Sequence, residues 1–353
     1  MMQNSSSHSS RLRRRLPAVA VVVAASALLL SACSADGVSA GSSDAAAPNG
    51  GDVVIGYSTY TVANPAFAGI LQGQEDEAAA KGFDFISANS NLDPNQQITD
   101  VQNLLTQGAT YIVITPADGT AIAPAVKAAE AQGVPVIALA DTIADPVTAT
   151  FSMSHEEGGK LAGEEIVKFL TAKYGEPKGN VVDIQGLAGT LAATGREKGF
   201  ADVMAKYPDI TVVARQDGGW DTDKSNQVMT GILQANPQID AVYGANDAEA
   251  YGATTAIKAA NRFAPVGDPD HIYVIGVDGA KPAIDGIRDG SQDATVSQNF
   301  VKMGQMMVDQ IADFESGKTD KIEGIEWPLQ VITTQNIDSD EVAEYGIWAD
   351  EVK

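Results

Sequence analysis

The chain has 353 residues with 46 Asp and Glu against 23 Lys and Arg, a formal charge of −23. So acidic a balance argues against nucleic acid or an anionic membrane surface as the partner, because both are held by clustered cations. With a single cysteine there is no disulfide framework, so stability has to come from burial, which a chain of this length supplies.

The first predicted element is a leader. Arg11, Arg13, Arg14 and Arg15 precede an apolar run from Leu16 to Leu30 that ends in Leu30-Ser31-Ala32-Cys33. The run is too short to cross a bilayer comfortably, so residues 1–32 read as a signal peptide and not as a transmembrane helix. The stretch resembles that of exported bacterial lipoproteins, with Cys33 as the lipidation site and new first residue. The resemblance implies a lipid anchor on the outer face of the cell membrane, in the periplasm if an outer membrane is present. The leader holds four arginines and no acid, so its loss leaves 321 residues and a formal charge of −27. Residues 33–51 are small and polar and read as a flexible tether spanning roughly 20–25 Å.

From residue 52 onward, short β-rich runs alternate with longer amphipathic segments. The strands are expected at Val53–Tyr57, Tyr111–Thr115, Val136–Leu139, Val181–Ile184, Ile210–Ala214, Ala241–Tyr243 and Ile272–Val277. Helices are expected at Phe67–Lys81, Ile98–Gln107, Ala123–Gln132, Glu157–Tyr174, Arg196–Tyr207, Lys224–Ala235, Ala248–Ala260 and Val301–Ser316. In the first of these, Phe67, Ile70, Leu71 and Ala78 share a face and Gly82 supplies a stop. Repeated βαβ units imply mostly parallel sheets covered on both faces. About ten strands exceed what one sheet holds easily, so two α/β lobes are expected, with a break near 142–153.

In parallel α/β sheets ligands bind beyond the carboxyl ends of the strands. Asn64, Asn89, Asn91, Asp141, Asn246, Asp247 and Asp278 all follow strands. Each of these either reads a ligand or caps the next helix, and capping is the favoured role for Asp247. Phe67 is either a stacking face or core with Ile70 and Leu71. Trp220 lies in Gly218-Gly219-Trp220-Asp221, where no core periodicity calls for a large apolar group. An aromatic face beside amides and carboxylates suits a sugar, whose C–H faces stack while its hydroxyls find hydrogen-bond partners.

Several segments, in order, carry a family likeness: Asn64-Pro65-Ala66-Phe67, Val101-Gln102-Asn103-Leu104-Leu105, Val134-Pro135-Val136-Ile137, Gln185-Gly186-Leu187-Ala188-Gly189-Thr190, Gly199-Phe200, Gly244-Ala245-Asn246-Asp247, Gly276-Val277-Asp278-Gly279 and Ala294-Thr295-Val296-Ser297-Gln298. From about Val53 to Thr333 the chain resembles the periplasmic sugar-binding proteins of the ribose-binding type, the solute-capturing subunits of ABC importers. The resemblance implies two doubly wound Rossmann-like lobes with parallel sheets, joined by a three-strand hinge with crossings near 151–154, 297–300 and 331–333. The first lobe would take 52–152 with 299–330, and the second 153–298 with 331–353. The implied ligand contacts are Asn64, Phe67, Trp220, Asn246, Asp278 and Gln298. The implied partners are a monosaccharide or polyol and an ABC permease in the membrane, met by a monomer with no cofactor.

The chain departs from the ribose pattern in places. Ala66 replaces a second phenylalanine, and Ala140-Asp141 replaces an Asp-Arg pair. Thr194 stands for a pocket arginine, while Arg196 matches a neighbouring arginine assigned to the scaffold. Without those guanidinium forks the expected guest is another pentose, a hexose or a polyol, with Asp141 reading hydroxyls. Thr194 and His155 are further candidates for the pocket, although a residue such as His155 also serves as a cap or lies exposed.

Two other functions compete with solute import. A secreted hydrolase lacks support, because there is no His-Glu-x-x-His, no Gly-x-Ser-x-Gly and no phosphate loop. Asp221-x-Asp223-x-Ser225 opens like a calcium loop but lacks the later glycine and acid, so no metal site is expected. A surface receptor for a sugar-like signalling molecule would keep the fold and change only the output.

Overall fold

The computed structural model describes residues 52–352. The signal peptide, Cys33 and the 33–51 tether lie outside these described residues. The first part of the fold comprises β1 (Val54–Thr59), α1 (Pro65–Lys81), β2 (Asp84–Asn89), α2 (Pro94–Thr106), β3 (Tyr111–Thr115), α3 (Ala123–Glu130), β4 (Val136–Ala140) and β5 (Ala149–Met153). Then follow α4 (His155–Tyr174), β6 (Gly179–Gln185), α5 (Leu191–Met204), β7 (Ile210–Asp217), α6 (Thr222–Ala235), β8 (Ala241–Gly244), α7 (Asp247–Ala259), β9 (Tyr273–Asp278), α8 (Lys281–Asp289) and β10 (Ala294–Ser297). The chain ends in α9 (Phe300–Glu315), β11 (Ile325–Trp327), β12 (Gln330–Thr333), α10 (Asp340–Tyr345) and a 3₁₀ turn at Trp348–Asp350.

Two six-stranded sheets result, ordered β11-β5-β4-β3-β1-β2 and β12-β10-β9-β8-β6-β7. Both repeat one winding, with the first strand of each set lying between the second and the third. Every pairing is parallel except β10 with β12. Central strands such as β3 and β4 are buried along their whole length because each has a core on either face. Tyr111 and Val113 of β3 pack with Ile55 and Ile137, whereas the intervening Ile112 and Ile114 pack with Val101, Leu104 and Val126. The second sheet divides likewise, with Val181, Tyr243 and Ile275 on one face and Val182, Val242 and Val274 on the other.

Local chemistry sets the helix ends. α1 starts two residues before the expected Phe67 because Pro65 occupies the first helical position and Asn64 Oδ1 accepts from the Ala66 amide at 2.9 Å, as N-caps do. α1 ends at Gly82, whose left-handed backbone lets its amide reach Ala78 and Ala79.

The chain passes between the sheets three times: at Ser154 between β5 and α4, at Gln298–Asn299 between β10 and α9, and at Pro328–Leu329 between β11 and β12. The first passage follows β5, which pairs in parallel with β4 and ends at Met153. The third precedes the expected 331–333 because Gln330–Thr333 is already paired with β10. The terminal segment, expected in the second lobe, touches both. Val342 and Ala349 pack with Ile284, Ile287 and Ile332, while Trp348 joins the first core and meets Phe300 edge-on at 5.5 Å.

Helices α4 and α5 approach closely enough that a Cβ on Gly159 would stand 1.9 Å from Arg196 O, and one on Gly199 the same distance from Glu156 O. Only glycine permits this approach. It holds the Arg196 turn of α5 tightly against α4.

Candidate functional site

The polar residues expected beyond the carboxyl ends of the two sheets have distinct settings. In the first lobe, Asn64 caps α1 with its carbonyl oxygen, so the Nδ2 amide is the group left for a ligand. Phe67 is half-buried, and Tyr60, in the loop after β1, packs edge-on against it at 4.7 Å. The Tyr60 phenol is held well above its usual range by burial first and by the Asp141 charge second, with Arg196 and Asp278 also acting on it. Charges from both lobes thus act on one tyrosine. Asp141, directly after β4, is buried, and its Oδ1 lies 2.8 Å from His155 Nε2. Two residues named separately as ligand candidates are therefore partners of each other.

In the second lobe, Asp278 is the hub. Its Oδ1 accepts from Arg196 Nη2 at 2.7 Å and from Gln298 Nε2 at 2.9 Å. Burial pushes this carboxyl up, and the Arg196 guanidinium opposes the shift without cancelling it. Arg196 also donates through Nη1 to Ala245 O at 2.8 Å and lies 5.6 Å from the centre of the Trp220 ring. Arg196, assigned to the scaffold from the sequence, thus stands inside the cluster, while Thr194 is exposed on α5. The sequence signal that could have found it is Gly195-Arg196 with Gly199 three residues on, a helix surface cut back so that one long cation can reach inward.

Trp220 is half-buried, and its indole lies flat on Gly186, where a Cβ would come within 2.0 Å of the ring. Its amide donates to Glu249 Oε1 at 2.8 Å. Glu249 Oε2 accepts from the Asn246 amide at 3.0 Å, and Asn246 Oδ1 accepts from the Glu249 amide at 3.0 Å, closing a capping box on α7. Asn246 is therefore the cap, in place of the favoured Asp247, and its Nδ2 is the group free to face a guest. Asp247 turns inward and accepts from Thr295 Oγ1 and the Ala280 amide, each at 2.7 Å. Burial pushes the Asp247 and Glu249 carboxyls well up. Glu249, which anchors the Trp220 loop, was not singled out from the sequence, although Asn-x-x-Glu before an apolar helix face is a readable signature.

Among the non-glycine residues with positive φ are Ala140 (69°), Trp220 (64°) and Asp278 (126°). Such backbones persist only where their surroundings over-determine them. At Asp278 the carbonyl is held by Trp348 Nε1 at 2.8 Å and by the Gln298 amide at 3.2 Å. Among the described residues, the buried side-chain atoms without a hydrogen-bond partner include Arg196 Nε, Gln298 Oε1 and His155 Nδ1. The arrangement combines aromatic faces, one fixed guanidinium, amides and carboxylates, which suits a small guest of many hydroxyls. No group of three or more His, Cys, Asp or Glu suited to a metal occurs among the described residues.

Compared with known proteins, the chain matches the periplasmic binding protein domain over residues 55–319. It is 32% identical over 267 residues to the ribose import binding protein of Bacillus subtilis, an overlap of 76% of this chain and 83% of that protein. It is 29% identical over 302 residues to the xylitol-binding protein of Mycolicibacterium smegmatis, an overlap of 84% and 82%. Among solved structures, an ABC transporter periplasmic solute-binding protein from Actinobacillus succinogenes with bound D-allose aligns with a TM-score of 0.71 at 28% identity, covering 80% of this chain and 98% of that one.

Proposed function

Because this chain belongs to the periplasmic binding protein family, we propose that it is an extracytoplasmic receptor that captures a monosaccharide or polyol between its two lobes and hands it to an ABC permease. The observation that carries this reading is the contact of Asp141 in the first lobe with His155 in the second, together with the Trp220, Arg196 and Asp278 cluster of the second lobe. Relatives named for ribose, xylitol and allose support the ligand class. The relatives are solute-binding transport proteins. The local chemistry agrees with binding over turnover, since Asp278 is committed to Arg196 and Gln298, Glu249 to two backbone amides and Asp141 to His155.

Within this reading Asn64, Phe67, Trp220, Asn246, Asp278 and Gln298 contact the guest, and Arg196 joins them. Asp141 and His155 act as a pair, and Thr194 sits at the rim. A guest held first by one lobe gains its remaining hydrogen bonds only when the other arrives, so its differential affinity drives closure. The lobes divide at the three passages, Ser154, Gln298–Asn299 and Pro328–Leu329, the terminal segment bridging them. Cys33 carries the lipid that keeps a monomeric receptor beside its permease. No helix among the described residues is long and apolar enough to cross a membrane.

Calorimetry of the purified chain against a panel of monosaccharides and polyols tests the binding role. Saturable heat with at least one member is expected, and silence across the panel refutes it. Metabolic labelling with a fatty acid tests the anchor: label should be lost in Cys33→Ser, and label retained in that variant removes the lipid from the proposal.

A further inference from the structure

Asp141 directly follows β4 in the first lobe, and His155 is the first residue of α4, immediately past the Ser154 passage. Their contact therefore spans the two lobes, with the side chains 10% and 15% exposed and Nε2 2.8 Å from Oδ1. A carboxylate only accepts hydrogen bonds, so the bonded Nε2 carries the proton. In the neutral imidazole Nδ1 is then a bare acceptor, and it is buried without a partner. An orphaned buried acceptor carries a desolvation penalty until a donor reaches it.

The ring has little freedom to relieve that penalty by turning away. Ser154 caps α4 by accepting from the Glu157 amide at 3.1 Å, which fixes the backbone at His155. From the neighbouring helix, Gly195 comes so close that a Cβ there would stand 2.7 Å from His155 Cβ.

We propose that Asp141 and His155 form a cross-cleft clasp that holds the lobes together before a guest arrives and turns the imidazole so that Nδ1 accepts a hydrogen bond from a guest hydroxyl. The second half of this inference rests on the binding role proposed above; the first half does not. A clasp of this kind raises the population of the binding-competent closed form, and with it the apparent affinity, in proportion to the fraction closed. It also ties ligand choice to closure, since a guest lacking a donor at that place leaves Nδ1 unsatisfied.

The test uses the ligand-free full chain in detergent. Nitrogen-15 spectra of its histidines, at mildly alkaline pH, should show His155 protonated at Nε2 and bare at Nδ1; the reverse tautomer overturns the proposal without any substitution. Spin labels at Leu92→Cys and Leu187→Cys, on exposed positions after β2 and β6, report the distance between the lobes by pulsed electron resonance, in a background carrying Cys33→Ser. His155→Ala and Asp141→Ala should each add a longer-distance population, lowering the closed-to-open ratio roughly tenfold, the factor that corresponds to one charge-assisted hydrogen bond. The double variant should do no more than either single one. Distances unchanged by His155→Ala, or effects that sum in the double variant, overturn the clasp. If the clasp signals hold while the carbohydrate panel stays silent, it is the binding role that fails.

Discussion

Arg196 and Asp278 form a buried ion pair, 2.7 Å apart with side chains 5% and 6% exposed, and Arg196→Met is the change that isolates its energetics. Methionine fills much of the arginine stem's volume, so packing is largely kept while the charge is lost. Asp278 is then left buried with Gln298 as its remaining side-chain donor, and Ala245 O loses the guanidinium that now serves it. Stranding one member of a buried pair destabilises by about 3–5 kcal/mol, equivalent to a fall in Tm on the order of 10 °C for a chain of this size. Urea unfolding followed by tryptophan fluorescence measures the loss. Adding Asp278→Asn should restore most of it, because asparagine removes the stranded charge and keeps an acceptor for Gln298. The loss should also shrink on acidification. A carboxyl whose pKa is raised on folding binds more protons folded than unfolded, so stability falls as pH rises between the unfolded and folded values. Asp278 is already raised by burial and rises further without its cation. A single-variant loss under about 1 kcal/mol, or a double variant no more stable than the single one, refutes the picture of a tightly coupled buried pair.

Trp220→Ala removes the indole that lies over Gly186 and should weaken binding of whichever sugar or polyol scores in calorimetry at least tenfold, in line with roughly 1.5 kcal/mol or more for an aromatic contact; unchanged affinity would take Trp220 out of the site. Gly199→Ala would drive a Cβ to 1.9 Å from Glu156 O, so α4 and α5 must separate, with a loss of about 1–3 kcal/mol visible as a lower thermal midpoint. An unshifted midpoint would mean the helices have slack. His271 is buried, with Nδ1 2.8 Å from Ala264 O and Nε2 2.9 Å from Asp293 Oδ1. Burial pulls its pKa down, but the Asp293 bond and charge together with the Ala264 carbonyl outweigh it, so the net shift is upward. Its contribution should be complete below the ordinary histidine pKa and fade as pH rises through the raised folded value. Denaturant midpoints across that window should decline in the wild type and stay flatter in His271→Gln, and parallel profiles would count against the imidazolium.

The alternation of strand and helix, the two-lobe division and the placing of Asn64, Trp220, Asn246 and Asp278 at strand ends were legible in the sequence. Apolar periodicity, caps and glycine stops act over a few residues and leave their mark there. The role of Arg196 was not legible, because its partners Ala245 and Asp278 lie 49 and 82 residues away and only the winding of the second sheet brings them under α5. Nor was the pairing of Asp141 with His155, for it depends on how two separately folded lobes meet at Ser154. The antiparallel β12 and the return of Trp348 to cover α1 and α9 are likewise products of the chain's third passage. Local patterning thus decided which elements form and which edge of each sheet is polar. Tertiary packing decided which of those polar groups are spent on one another and which are left with an unpaired atom to offer a guest, because desolvation and pairing are set by neighbours in space and not along the chain.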